Sequence, residues 1–96
     1  MKTQQLLYFL SAIASDKRVN VWHIGTYYAL IQLWLQSDQQ NTFQISRRKV
    51  MALARIGSIV TYHKCIKELQ LFGYIIYTPS YNPFLGSKVC LINELN

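Results

Sequence analysis

The segment GSIVTYHKCIKELQLFGYI, Gly57–Ile75, places a histidine two positions before a cysteine and two lysines three apart. Such a cluster reads either as metal or catalytic chemistry, or as a helix that lies against something acidic. Helical periodicity separates the two. At about 100° per residue, Tyr62, Cys65, Ile66 and Leu69 share one face, and Val60, His63, Lys64 and Lys67 share the other. His63 and Cys65 then point about 200° apart and cannot hold one ion within a single helix. A zinc site needs three or four convergent ligands, and the second histidine, His23, belongs to another segment. A Cys–His nucleophile fails on the same geometry. The carboxylates Asp16, Asp38, Glu68 and Glu94 are dispersed and form no acid–base pair. No catalytic residue, metal or other cofactor is expected, and the chain does not read as an enzyme.

The boundaries of this helix are written beside it. Ser58 is suited to cap its start, and Gly73 stops it after about Phe72. Upstream, Ser46 caps a further helix, RRKVMALARI, with Val50, Leu53 and Ala54 inward and Arg48, Ala52 and Arg55 outward. The glycine of RIGS is expected to end that helix and turn the chain. Downstream, YIIYT and KVCLI are strand-like runs separated by PSYNPFLGS, whose prolines and glycine mark a long hairpin tip. Leu71 falls on the outward face of the 58–72 helix, where the hairpin is expected to cover it.

Residues 3–15 read as a helix, with Leu6, Leu10, Ile13 and Ala14 at helical spacing. SDKRVN breaks it, and Asn20 can cap a second helix to about Ser37. That helix, VWHIGTYYALIQLWLQS, is apolar nearly all round. It is either a central core helix or buried against another chain, which makes a homodimer through the first two helices plausible. QSDQQN is a polar loop and TFQI a short strand.

Ninety-six residues, about half of them apolar, make one domain with a single modest core. The net charge of +6 is unevenly placed. Between residues 47 and 88 stand Arg47, Arg48, Lys49, Arg55, Lys64, Lys67 and Lys88 against one acid, Glu68. A basic segment on a folded domain points to nucleic acid or an anionic surface. Cys65 and Cys90 are too few for a secreted disulfide scaffold and read as reduced thiols. The start, MKTQQLLYFLSAIAS, mimics a signal peptide, but its apolar run Leu6–Leu10 is short and its positive region is one lysine. No run approaches the roughly 18 apolar residues of a membrane span. The expectation is a cytoplasmic protein with no membrane and no small-molecule ligand.

ISRRKVMALARIGSIVTYHKCIKELQLFGYI resembles the winged-helix DNA-binding pattern of bacterial regulators and replication initiators. Ser46, Ser58, Thr61, Ile66, Leu69, Gly73, Tyr74 and Ile75 carry the likeness. YTPSYNPFLGSKVCL is similar to the wing of small winged-helix proteins on Bacteroides-type mobile elements. Tyr62 departs from the pattern, which has a small aliphatic residue at its position. The resemblance covers residues 42–92. It implies an α+β, mainly α fold: a winged helix-turn-helix over 42–93 preceded by two extra helices within 1–38. It also implies that helix 58–72 is the recognition helix and that 79–88 is the wing.

The outward lysines and histidine suit phosphate oxygens and base acceptors, and a helix fits the major groove. Val60 suits a thymine methyl. The DNA-binding residues expected are Arg48, Arg55, Ser58, Val60, Thr61, His63, Lys64, Lys67, Tyr81, Asn82 and Lys88. Tyr81 and Phe84 have the alternative of folding back onto the core. The partner is double-stranded DNA, bound by a homodimer, and the role is transcriptional regulation. A replication or mobilisation accessory protein and a protein-interaction module are the rival roles.

Overall fold

The structure is a computed structural model and describes residues 3–82 and 85–92. The order is α1 (Thr3–Ala14), α2 (Val21–Gln36), β1 (Phe43–Ile45), α3 (Arg47–Ala54), α4 (Ile59–Leu71), β2 (Ile75–Thr78) and β3 (Ser87–Leu91). The fold is α+β and mainly helical. Its sheet is antiparallel, in the order β1-β3-β2. The hairpin β2–β3 is local, whereas β1 reaches across the chain to pair Gln44 with Lys88.

Side chains alternate across the sheet as the pleat requires. Phe43, Ile45, Ile75, Val89 and Leu91 face inward and are buried. Gln44, Lys88, Thr78, Ile76 and Cys90 lie on the outer face, at paired positions of the three strands.

Three caps start three helices. Asn20 Oδ1 accepts from the amides of Trp22 and His23, and the Asn20 amide donates to His23 Nδ1, closing a capping box. Ser46 Oγ accepts from Lys49 N, and Ser58 Oγ from Thr61 N. Each such cap stabilises its helix by about 1 kcal/mol.

α2 is the central element. His23, Thr26, Tyr27, Ala29, Leu30, Ile31, Leu33 and Trp34 are buried along it, and it packs on α3, α4 and β1. Gly25 lets α3 come close: a Cβ there would sit 3.3 Å from the Ala54 carbonyl oxygen. Val21, Trp22, Ile24 and Tyr28 remain exposed on its other side. α2 is thus central and also presents an apolar face. α1 docks through Phe9 and Ile13, with Phe9 edge-on to both Tyr27 and Trp34.

Several expected positions differ. Leu10 and Ala14 are exposed, because Phe9, not Leu10, forms the contact of α1 with α2. Leu53 is also exposed, leaving Val50 as the buried anchor of α3. α3 ends at Arg55, which itself takes the left-handed conformation (φ 60°, ψ 41°), while Gly57 has no positive φ. The glycine does not make that turn. Gly73, at φ +90°, does follow α4 as expected.

Candidate nucleic-acid interface

α4 shows the two-faced arrangement that its spacing predicts. Tyr62, Cys65, Ile66 and Leu69 are buried, while Val60, His63, Lys64 and Lys67 are exposed. Val60 is 78% exposed at the start of the helix. Leu71 is 76% exposed. The hairpin does not cover it, because β2 turns away through Gly73 and packs on the inward side of α4.

The one acid of the basic segment, Glu68, is engaged from below. His23 Nε2 lies 2.8 Å from Glu68 Oε1. His23 Nδ1 already accepts the Asn20 amide hydrogen, so Nε2 carries the proton and donates to the carboxylate. Among the described residues the one salt bridge between two formal charges is Arg18–Asp16. Arg47, Arg48, Lys49, Arg55, Lys64, Lys67 and Lys88 therefore make no salt bridge among the described residues.

A cleft of about 410 Å³ opens between the start of α3, the start of α4 and the base of the β2–β3 hairpin. Ser46, Arg47 and Arg48 line it from α3, Tyr62 and His63 from α4, and Tyr77, Ser80 and Ser87 from the hairpin. Tyr77 Oη and Ser87 Oγ are hydrogen-bonded at 3.0 Å. The His63 ring packs edge-on against Tyr62, with centroids 5.2 Å apart. No carboxylate among the described residues lines the cleft. Gly86 allows the hairpin to return there: its φ is +68°, and a Cβ would fall 2.7 Å from the Ile45 carbonyl oxygen.

The expected site residues divide among four places. Arg48 and His63 meet in the cleft. Val60, Lys64 and Lys67 continue along α4, with Ser58 and Thr61 committed to the cap at its start. Arg55 is exposed in the turn between α3 and α4. Tyr81, Asn82 and Lys88 border a separate depression with Thr78, Pro79 and Leu85. Lys88 is not at a hairpin tip: it lies within β3, opposite Gln44 and Thr78. Tyr81 is 98% exposed and does not fold back on the core; Phe84 lies outside the described residues. Arg47, Tyr77 and Tyr62 join the cleft without having been expected there. Arg47 had a signal, as the first residue after the Ser46 cap.

Cys65 and Cys90 are both free thiols. Cys65 is buried beneath α4, and burial pushes its thiol up. No group of three or more metal-ligating side chains occurs among the described residues, and no helix among them is long and apolar enough to cross a membrane. Comparisons with protein-family models, with curated proteins and with solved structures each found no match.

Proposed function

We propose that this chain is a winged-helix protein that binds double-stranded DNA, with α4 as its recognition helix and the β2–β3 hairpin as its wing. In this reading α2, β1, α3, α4, β2 and β3 make up the winged helix. Only α1 is then additional to it, where two extra helices were expected.

The observation that carries the reading is the uncompensated charge of α3 and α4. Seven cations between residues 47 and 88 make no ion pair among the described residues, and Glu68 is held by His23. A row of cations without partners is costly to keep together and is relieved by a polyanion. α4 is 13 residues long, about 20 Å at 1.5 Å per residue, which suits a major groove. His63, Lys64 and Lys67 would meet the groove, and Arg47 and Arg48 the flanking phosphates.

The DNA-bound form is proposed to be a homodimer. Neither α1 nor α2 contains a Lys, Arg, Asp or Glu. Leu7 and Leu10 on α1, and Val21, Ile24 and Tyr28 on α2, are exposed apolar positions. In a chain of net charge +6, a charge-free face is where a second copy approaches with least repulsion. The biological role that fits is transcriptional regulation. An origin-binding accessory role uses the same surface. Exposed Val60 and Leu71 on α4 favour one second reading, a module that binds another protein.

The test is binding to random-sequence duplexes across ionic strength. Four phosphates met by Arg47, Arg48, Lys64 and Lys67 give a slope of log affinity on log salt of about −3.6 per domain, at about −0.9 each. No salt-dependent binding to any duplex at low ionic strength would end the DNA reading in favour of the protein module.

A further inference from the structure

Tyr62 sits on the inward face of α4 and is only 2% exposed. A phenylalanine would fill that volume equally well. Yet the Tyr62 hydroxyl makes no hydrogen bond among the described residues, and Tyr62 is one of the residues that line the cleft between α3, α4 and the hairpin. Among the described residues no buried polar side-chain atom is without a partner. An unpartnered hydroxyl that is not a buried atom keeps some access to solvent, and the cleft is an opening that Tyr62 lines.

Besides Ile45 and Gly86, the cleft is lined by hydroxyls, a histidine and two arginines. Arg47 and Arg48 flank the opening, and His63 packs on the Tyr62 ring. The Tyr77 and Ser87 hydroxyls are already paired with each other, and Ser46 Oγ is taken by the Lys49 amide. The first amides of α3 have no intrahelical acceptor and carry the positive end of the helix dipole. Burial pushes the Tyr62 phenol up to about 12, with Tyr77 adding to the rise and Arg47 opposing it. The group stays a protonated donor at any physiological pH.

We propose that the cleft is a seat for one phosphate group, in which the Tyr62 hydroxyl donates a hydrogen bond that Arg47, Arg48 and the start of α3 support electrostatically. Its occupant, a backbone phosphodiester of the duplex, rests on the DNA reading above; the seat itself does not. Tyr62 is then both a core residue and a DNA contact, by its two ends.

The experiment uses Tyr62→Phe, which removes one oxygen and leaves the ring in place. Its melting temperature should stay close to that of the wild type. Its duplex affinity should fall about tenfold, as for a lost hydrogen bond to a charged acceptor. The salt slope should not change, because a neutral donor displaces no counterion. Arg47→Ala, by contrast, should reduce the slope by about one.

Inorganic phosphate provides the independent arm. Titrated into wild-type protein at low salt, it should shift the amide resonances of Arg47–Lys49 and the Tyr62 ring, and these shifts should vanish in Tyr62→Phe. If Tyr62→Phe binds duplex with wild-type affinity, or if phosphate leaves those resonances of the wild type unmoved, the seat is wrong while the DNA reading stands on its own test. If phosphate binds there and no duplex binds, the seat holds and the DNA reading falls.

Discussion

His23 donates from Nε2 to Glu68 Oε1 across 2.8 Å, and the same ring closes the capping box at the start of α2. One buried imidazole thereby ties the first turn of the central helix to the underside of the proposed recognition helix. The ring also meets Phe72 edge-on, and the Arg18 guanidinium lies 4.6 Å from the centre of the Phe72 ring on another side. Glu68→Ala should destabilise the fold by about 1–3 kcal/mol, because it leaves a buried imidazole N–H without an acceptor. Glu68→Gln keeps the acceptor oxygen and should recover most of that loss. Urea unfolding of the two variants is the check. A Glu68→Ala midpoint equal to that of the wild type would show that the bridge contributes nothing.

Asp16 leads to a prediction about acid. Its carboxylate accepts from Arg18 Nη2 at 2.7 Å, Arg18 Nε at 3.0 Å and Tyr74 Oη at 2.6 Å. The Arg18 hydrogen bonds, then that of Tyr74, hold its carboxyl well below the usual carboxylate range. The unfolded chain therefore binds a proton at Asp16 more readily than the folded one. The stabilisation is complete above the unfolded value, about 3.9, and is lost as pH falls toward the lowered folded value. Wild-type stability should drop more steeply than that of Asp16→Asn between about pH 4 and pH 2. Parallel acid curves would remove this role from Asp16.

These two clusters show what the sequence allows and what it hides. Asn20, Ser46 and Ser58 are legible as caps because a cap is satisfied within three residues of itself. The two faces of α4 are legible for the same local reason, since periodicity sets the direction of each Cβ. Periodicity does not set where the far end of a long side chain emerges. Tyr62 therefore reads as a core residue, and its place in the lining of the cleft does not read at all. Nor does the pairing of Gln44 with Lys88, which joins strands more than 40 residues apart and moves Lys88 from a hairpin tip to the middle of a sheet. Arg55 defeats local reasoning differently. Glycine is the usual left-handed residue after a helix, but here the chain turns two residues before Gly57.

The proposed dimer predicts a contrast between two positions on α2. Trp34 is buried against Phe9, so Trp34→Glu should unfold the chain and say nothing about association. Ile24 is exposed on the charge-free face. Ile24→Lys should change stability by no more than about 0.5 kcal/mol, as for an ordinary surface substitution, and should convert a dimer to a monomer in sedimentation. A wild-type chain that sediments as a monomer at high concentration would leave α2 exposed for another reason.

The last prediction separates holding DNA from reading it. Lys67 and His63 are both exposed on α4, but they differ in chemistry and support. Lys67 is a flexible cation with no ion pair among the described residues. His63 meets the Tyr62 ring edge-on at the cleft, and its ring nitrogens suit a directed hydrogen bond to a base edge. Lys67→Ala should weaken binding to all duplexes alike and flatten the salt slope by about one unit, as expected for one lost phosphate contact. His63→Ala should leave the slope nearly unchanged and alter the ranking of sequences, at about 1–3 kcal/mol for a good base contact. Selection of bound sites from random duplex DNA, run in parallel on the wild type and both variants, reads the two effects together. If His63→Ala selects the same sites as the wild type, His63 does not reach a base edge, and reading passes to Val60 and Lys64 further along the same face.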